Sequence, residues 1–173
     1  MKRYENSTRR NSRPSKEPWT KGQKESETLT SRVRQKATKK NLRIPSQTDK
    51  LVLAREFVAD AAKIFGFADD DVNNIALAVD EACTNIIKHA YHYATDKEIN
   101  IVISMRKPEF EITIQDGGNH FDPRRVPVPD MKEYISHYKR GGLGMYLMKK
   151  LMDKVEYSNR PRKNVVRLIK YLH

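Results

Sequence analysis

The chain changes character near Asn41: before it the residues show no apolar period, and after it apolar and polar positions recur with two distinct spacings. "NLRIP" (41–45) alternates apolar with polar until Pro45 breaks it, which predicts a short strand. Leu51, Leu53, Ala54, Phe57, Val58, Ala61 and Ile64 then recur at helical spacing up to Gly66, with Ser46 placed to cap this first helix. A second helix is predicted after "FADDD", whose acidic residues suit a helix N-terminus, with Val72, Ile75, Val79, Cys83, Ile86 and Ala90 as its apolar stripe. "EINIVISMR" and "FEITIQD" alternate with period two about Lys107–Pro108–Glu109 and predict an antiparallel hairpin. A third helix comes after "RGGLG" and carries Leu147, Met148 and Leu151, and "KVEYSN" and "NVVRLIKYL" predict two closing strands.

These elements sum to an α+β domain, with helices on one face of a mostly antiparallel sheet. No internal repeat is visible. Between the hairpin and the third helix lies a proline-broken connection, residues 117–140, in which a short helix fits near 130–138. Connections of that length in a small domain are commonly lids or binding loops.

Charge changes the picture only at the N-terminal end. Residues 1–40 hold 13 Lys or Arg against 4 Glu, a net of +9, whereas residues 41–173 hold 21 against 18, a net of +3. The basicity therefore belongs to a polar leader, expected to be disordered on its own and either simply solvated or in electrostatic contact with nucleic acid or an acidic protein. The globular part, 41–173, is nearly balanced. No stretch approaches the ~20 apolar residues of a membrane span, and the first residues lack the apolar core of a secretory signal. Cys83, the sole cysteine, excludes an internal disulfide and is expected in the core. A cytoplasmic protein fits these features.

Three local motifs carry candidate chemistry. In "VDEACTNIIKHA", Glu81 and Asn85 stand four apart on one helix face, with Lys88 one turn on. A carboxylate can accept a proton from an attacking hydroxyl, an amide oxygen is a neutral hard ligand for Mg²⁺, and a lysine can reach phosphate. The same pair also suits a solvated helix face. His89 and His92, three apart, fit packing or a helix-end role better than a metal. In "ITIQDGGNHFDP", Asp116 ends an apolar strand, where a buried carboxylate needs donors such as an exocyclic amine of adenine. Gly117 and Gly118 would let a ring approach, although an Asp-Gly turn is also ordinary. In "RGGLGMYLMKKL", the run Arg140, Gly141, Gly142, Leu143, Gly144 and Met145 opens a helix. Glycines there expose backbone N–H groups to an anion at the helix N-terminus. Neither a dinucleotide fingerprint nor a P-loop is present.

In this order and spacing the motifs resemble the N, G1 and G2 boxes of the GHKL ATP-binding fold shared by histidine kinases, gyrase, MutL and the large heat-shock chaperones. Within it, residues 41–173 are similar to the small anti-sigma factor serine kinases of bacterial partner-switching systems, the SpoIIAB/RsbW type, through "RIPSQTDKLVLAREFV", "ALAVDEACTNIIKHAY", "IQDGGNHFDP" and "GGLGMYLMKKLMDKVEY". The resemblance implies a two-layer α/β sandwich using ATP and Mg²⁺. It casts Glu81 as general base, Asn85 as Mg²⁺ ligand, Asp116 as the acceptor for the adenine amine and Gly118 beside the ring. Residues 119–140, including Phe121, become an ATP lid, and Gly142 and Gly144 the phosphate turn. It further implies a homodimer that binds a sigma factor and phosphorylates a serine on a STAS-domain anti-anti-sigma protein. Two features depart from the family: the basic leader, and the start of the last strand. There relatives often carry Gly-Thr-Thr, whose threonine assists adenine binding, and this chain has Lys163, Asn164 and Val165. The alternative is a module of the same fold that binds ATP and a partner without phosphotransfer. The presence of Glu81 favours the kinase, since a pure binder needs no base.

Overall fold

The structure, a computed structural model, describes residues 37–120, 143–161 and 163–173. The leader up to residue 36 and the connection 121–142, with its expected lid and short helix, lie outside the described residues.

Within the described residues five strands form one antiparallel sheet in the order β1-β2-β3-β5-β4: β1 Thr38–Pro45, β2 Glu98–Arg106, β3 Glu109–Asp116, β4 Lys154–Arg160 and β5 Lys163–Tyr171. Among the described residues three α-helices accompany it: α1 Leu51–Phe65, α2 Asp69–Asn85 and α3 Leu143–Leu151. The predicted α+β class is thus the observed one. β1 extends the "NLRIP" strand three residues towards the N-terminus, to Thr38, because Thr38, Lys39 and Lys40 find ladder partners in Met105, Ser104 and Ile103. Lysines on an outermost strand are a common defence against edge-to-edge pairing.

The period-two pattern decides which side chains enter the core. On β3, Phe110, Ile112, Ile114 and Asp116 take the buried positions, and on β5 the buried set begins with Asn164 and continues with Val166 and Leu168. Across the β3–β5 ladder Ile112 faces Leu168, Ile114 faces Val166 and Asp116 faces Asn164. The sheet therefore presents a mostly aliphatic face to the helices and ends that face, at one edge, on two polar residues. Each of its fully buried aliphatic side chains contributes about 1.5–3 kcal/mol.

α1 buries Leu51, Ala54, Val58, Ala61, Ala62 and Phe65, and ends where Gly66, at φ 114°, donates its N–H to Ala62 and Lys63. Leu53 and Ile64, placed by spacing on the apolar stripe, are 44% and 69% exposed, because the stripe that meets the core runs through the small alanines. Ser46 does not cap α1. It is buried, donates its Oγ–H to the carbonyl of Ala94 and its N–H to that of Lys97, and a 3₁₀ turn, Thr48–Lys50, leads into the helix.

α2 opens with Asp69, Asp70 and Asp71 at its positive end and buries Val72, Ile75, Ala78, Val79, Ala82 and Cys83. Burial pushes the Cys83 thiol pKa far above its ordinary value. The helix then widens into a π-helical turn, Ile86–Ala90, a departure that often marks functional positions. On α3 the buried residues are Met145, Met148 and, just beyond the helix, Met152, while Leu147 and Leu151 are half-buried. The stripe is rotated from the leucine-based one because the helix start is pinned against α2, and unbranched methionines adapt to the resulting space.

Candidate functional site

The aliphatic face of the sheet, the end of α2 with its π turn, and α3 enclose a cleft. Its lining includes Asn85, His89, Asp116, Met148, Tyr157 and Asn164. Asp116 reaches it because alternation along β3 turns the last residue of the strand inward, where it is 6% exposed. Burial raises the pKa of its carboxyl, and hydrogen bonds from Asn164 Nδ2 and the Gly118 N–H, both 2.8 Å and both on Oδ1, pull the other way.

The turn after Asp116 is sewn to the end of α2. Gly117 donates its N–H to the Tyr91 hydroxyl (2.9 Å), Tyr91 donates to the carbonyl of Glu98 (2.7 Å), and the Asn119 N–H reaches the carbonyl of Ala90 (3.0 Å). The approach is close enough that a Cβ on Gly118 would sit 2.5 Å from the Ala90 oxygen and 2.8 Å from its Cβ. Only glycine fits there without moving backbone. His92 and Tyr93, both in the left-handed region at φ 50° and 62°, turn the chain out of the helix, and His92 Nε2 lies 3.1 Å from Asn119 Nδ2. His92 thus serves the helix end. Among the described residues no group of three or more His, Cys, Asp or Glu could hold a metal ion by itself.

On the other side of the cleft, Glu81 and Asn85 stand one turn apart on α2 and meet the first turn of α3. A Cβ on Gly144 would overlap Glu81 Oε2 and come within 3.4 Å of Asn85 Nδ2, so this glycine too is there for approach. Burial raises the Glu81 pKa, neighbouring Asp80 adds to the rise, and Lys88 opposes it. Lys88 itself is exposed. Asp80 is engaged by Arg55 at 2.6 Å.

Of the residues picked out by sequence, Asn85 and Asp116 line the cleft, Glu81 and Gly144 meet next to Asn85, and Gly118 is bonded to Asp116 in the turn that follows it. Leu143 opens α3 half-buried, and Met145 points into the core. Phe121, Arg140, Gly141 and Gly142 lie outside the described residues. Two cleft residues carried no local motif. Asn164 bridges Asp116 to the turn, and Tyr157 has a buried hydroxyl without a partner in the structure and a pKa pushed up to about 12 by burial. An apolar cleft with one buried carboxylate and one unpaired hydroxyl suits a flat heteroaromatic ligand bearing an amine.

Fold and site together define a class of nucleotide-binding α+β sandwich. The chain belongs to the histidine kinase-like ATPase domain family, which it matches over residues 44–170. It is 35% identical to the serine-protein kinase RsbW of Bacillus cereus (strain ATCC 10987 / NRS 248) over 119 residues, covering 66% of this chain and 74% of that protein. The same figures hold for RsbW of Bacillus thuringiensis subsp. konkukian (strain 97-27). On this kinship the chain is a serine-protein kinase that uses ATP. Two solved structures share the fold. The RsbU and RsbW domains of Rv1364c from Mycobacterium tuberculosis match with TM-score 0.55 and 14% identity, over 78% of this chain and 32% of that one. The SiaB-SiaC complex from Pseudomonas aeruginosa matches with TM-score 0.58 and 9% identity, over 86% and 98%.

Proposed function

We propose that the chain is an anti-sigma-type serine kinase that phosphorylates a STAS-domain anti-anti-sigma protein and holds a sigma factor in a partner switch, acting as a cytoplasmic homodimer with Mg²⁺. Residues 41–173 are its catalytic domain and the basic leader an appendage. The observation that supports this reading is the seating of Gly144 against Glu81 and Asn85, which brings a carboxylate and an amide together at the first turn of α3, with Asn85 lining the same cleft as the buried carboxyl of Asp116. The donor set fits Mg·ATP: Asn85 offers a neutral oxygen suited to Mg²⁺, and Asp116 offers an acceptor for the adenine amine.

Bound ATP would supply the phosphoryl group, and a Mg²⁺ held by Asn85 would offset its charge. The chain's own residues bind, orient and move a proton. Asp116 selects the base, α3 directs its first N–H groups towards anionic oxygens, and Glu81 takes the proton of the attacking serine hydroxyl. Raising the pKa of Glu81 by burial strengthens it as a base.

The test is Glu81→Gln beside wild type, measuring radiolabelled phosphate transfer to STAS-domain proteins of the same genome and, separately, ATP affinity by calorimetry. Transfer falls by roughly a hundredfold to ten-thousandfold, the usual worth of a general base, while ATP affinity stays near wild type. Equal transfer by both removes Glu81 from its role. A wild-type protein that binds ATP and a partner yet transfers nothing is a binding module.

A further inference from the structure

Asn164 opens the buried face of β5 with a polar side chain. It is 6% exposed and faces Asp116 across the last rung of the β3–β5 ladder. Its Nδ2 lies 2.8 Å from Asp116 Oδ1, 3.2 Å from the carbonyl of Gly118 and 3.1 Å from that of Asn119. Its Oδ1 lies 2.7 Å from His120 Nδ1. One side chain thus joins the carboxylate to each of residues 118, 119 and 120.

The orientation of the amide is dictated by these neighbours. Turned over, its oxygen would face a carboxylate and two carbonyls, three acceptors and no donor. With Nδ2 on that side, Oδ1 needs a donor, so His120 carries its proton on Nδ1 when this bond forms. The amide and the Gly118 N–H then both engage Oδ1 of Asp116. With one oxygen held twice, the plane of the carboxylate is set and Oδ2 is left for a ligand.

We propose that Asn164 is a positioning residue for base selection: by holding Asp116 Oδ1 directly, it aims Oδ2 at the exocyclic amine of adenine. A threonine hydroxyl is shorter and carries one donor hydrogen, where the amide has two and an acceptor besides, so this chain fixes its base-reading carboxylate and the turn behind it with a single group. The proposal rests on the ATP reading of the cleft.

The experiment compares Asn164→Leu, Asn164→Asp and Asn164→Thr with wild type, measuring the Kd of ATP and of GTP by calorimetry, with thermal melts to report folding. A hydrogen bond to a charged group is worth roughly a tenfold to hundredfold in binding. The preference for ATP over GTP therefore falls at least tenfold in Asn164→Leu and in Asn164→Asp, which puts an acceptor against Asp116, and is partly restored in Asn164→Thr. In parallel, ¹⁵N NMR of the imidazole shows the Nδ1–H form of His120 in wild type and its loss in Asn164→Leu. An unchanged ATP-to-GTP ratio in any folded variant lacking the donor overturns the proposal, as does equal weakening of both nucleotides, which marks a purely structural role. If Asn164→Leu does not fold, Asn164→Asp decides by the same ratio. A wild-type protein that does not bind ATP overturns the nucleotide reading itself, and this inference with it.

Discussion

At Asp116, stability and binding pull apart. Its carboxyl is buried and its pKa raised chiefly by desolvation. A carboxyl whose folded pKa exceeds its unfolded one adds stability that is fully present below the ordinary carboxylate range and is lost as pH rises through the folded value. At neutral pH, then, the ionised Asp116 weighs against the fold. Asp116→Asn removes the charge, and because both hydrogen bonds fall on Oδ1, an amide oxygen can still accept them. We expect equal or higher thermal stability at pH 7, a flatter dependence of urea stability on pH above the ordinary carboxylate range, and loss of selective ATP binding. Calorimetry beside urea titrations at several pH values checks all three. The sequence makes Asp116 visible, since a carboxylate at the last inward position of "FEITIQD" breaks an otherwise apolar face. It also displays Glu81 and Asn85, one turn apart. Asn164 and Tyr157 are different: Asn164 finds its carboxylate 48 residues away in sequence, and only the strand register brings the two together.

Between elements, two glycines hold two different contacts. Gly118 lies against the backbone of Ala90, which cannot swing aside, whereas Gly144 lies against the far end of the Glu81 side chain, which can. Gly118→Ala is therefore expected to cost about 1–3 kcal/mol in denaturant unfolding, the usual range for overpacking. Gly144→Ala is expected to unfold much as wild type does, helped by the higher helix propensity of alanine, yet to lose phosphotransfer because Glu81 is displaced. A Gly144→Ala protein with full kinase activity would contradict the assigned seat of Glu81. Helices and strands were legible from period alone because each buries one face. The rotation of α3 was not, since Gly144 sets it by contact with another helix. Nor was the π turn, for Ile86 and Ala90 continue a stripe that fits an ordinary helix equally well.

On the scale of the whole molecule, the family match spans residues 44–170, and the residues that line the cleft begin at Ala82. Deleting residues 1–36, which stops short of β1 at Thr38, is expected to leave ATP affinity within about twofold of the full chain. A large loss on calorimetry would assign the leader to the site. The sheet order was not written in any single segment. β5 enters between β3 and β4, and only the pairing of Asp116 with Asn164 and of Tyr157 with Val166 shows which strand floors the cleft.

The burial of Cys83 towards the end of α2 makes the chain its own clock. Thiolate is the reactive species, and a thiol with raised pKa and no exposure gives a labelling reagent nothing to attack until α2 leaves the sheet. As the only cysteine in the molecule, its alkylation rate counts openings of the core, one event per chain. A ligand present at a hundred times its Kd lowers the population of such openings about a hundredfold. Timed alkylation followed by mass spectrometry, with and without nucleotide, therefore measures ligand affinity without a catalytic assay, on a residue sealed inside the core; a rate unchanged at saturating ATP would mean that Cys83 reacts through a local opening that leaves the cleft intact.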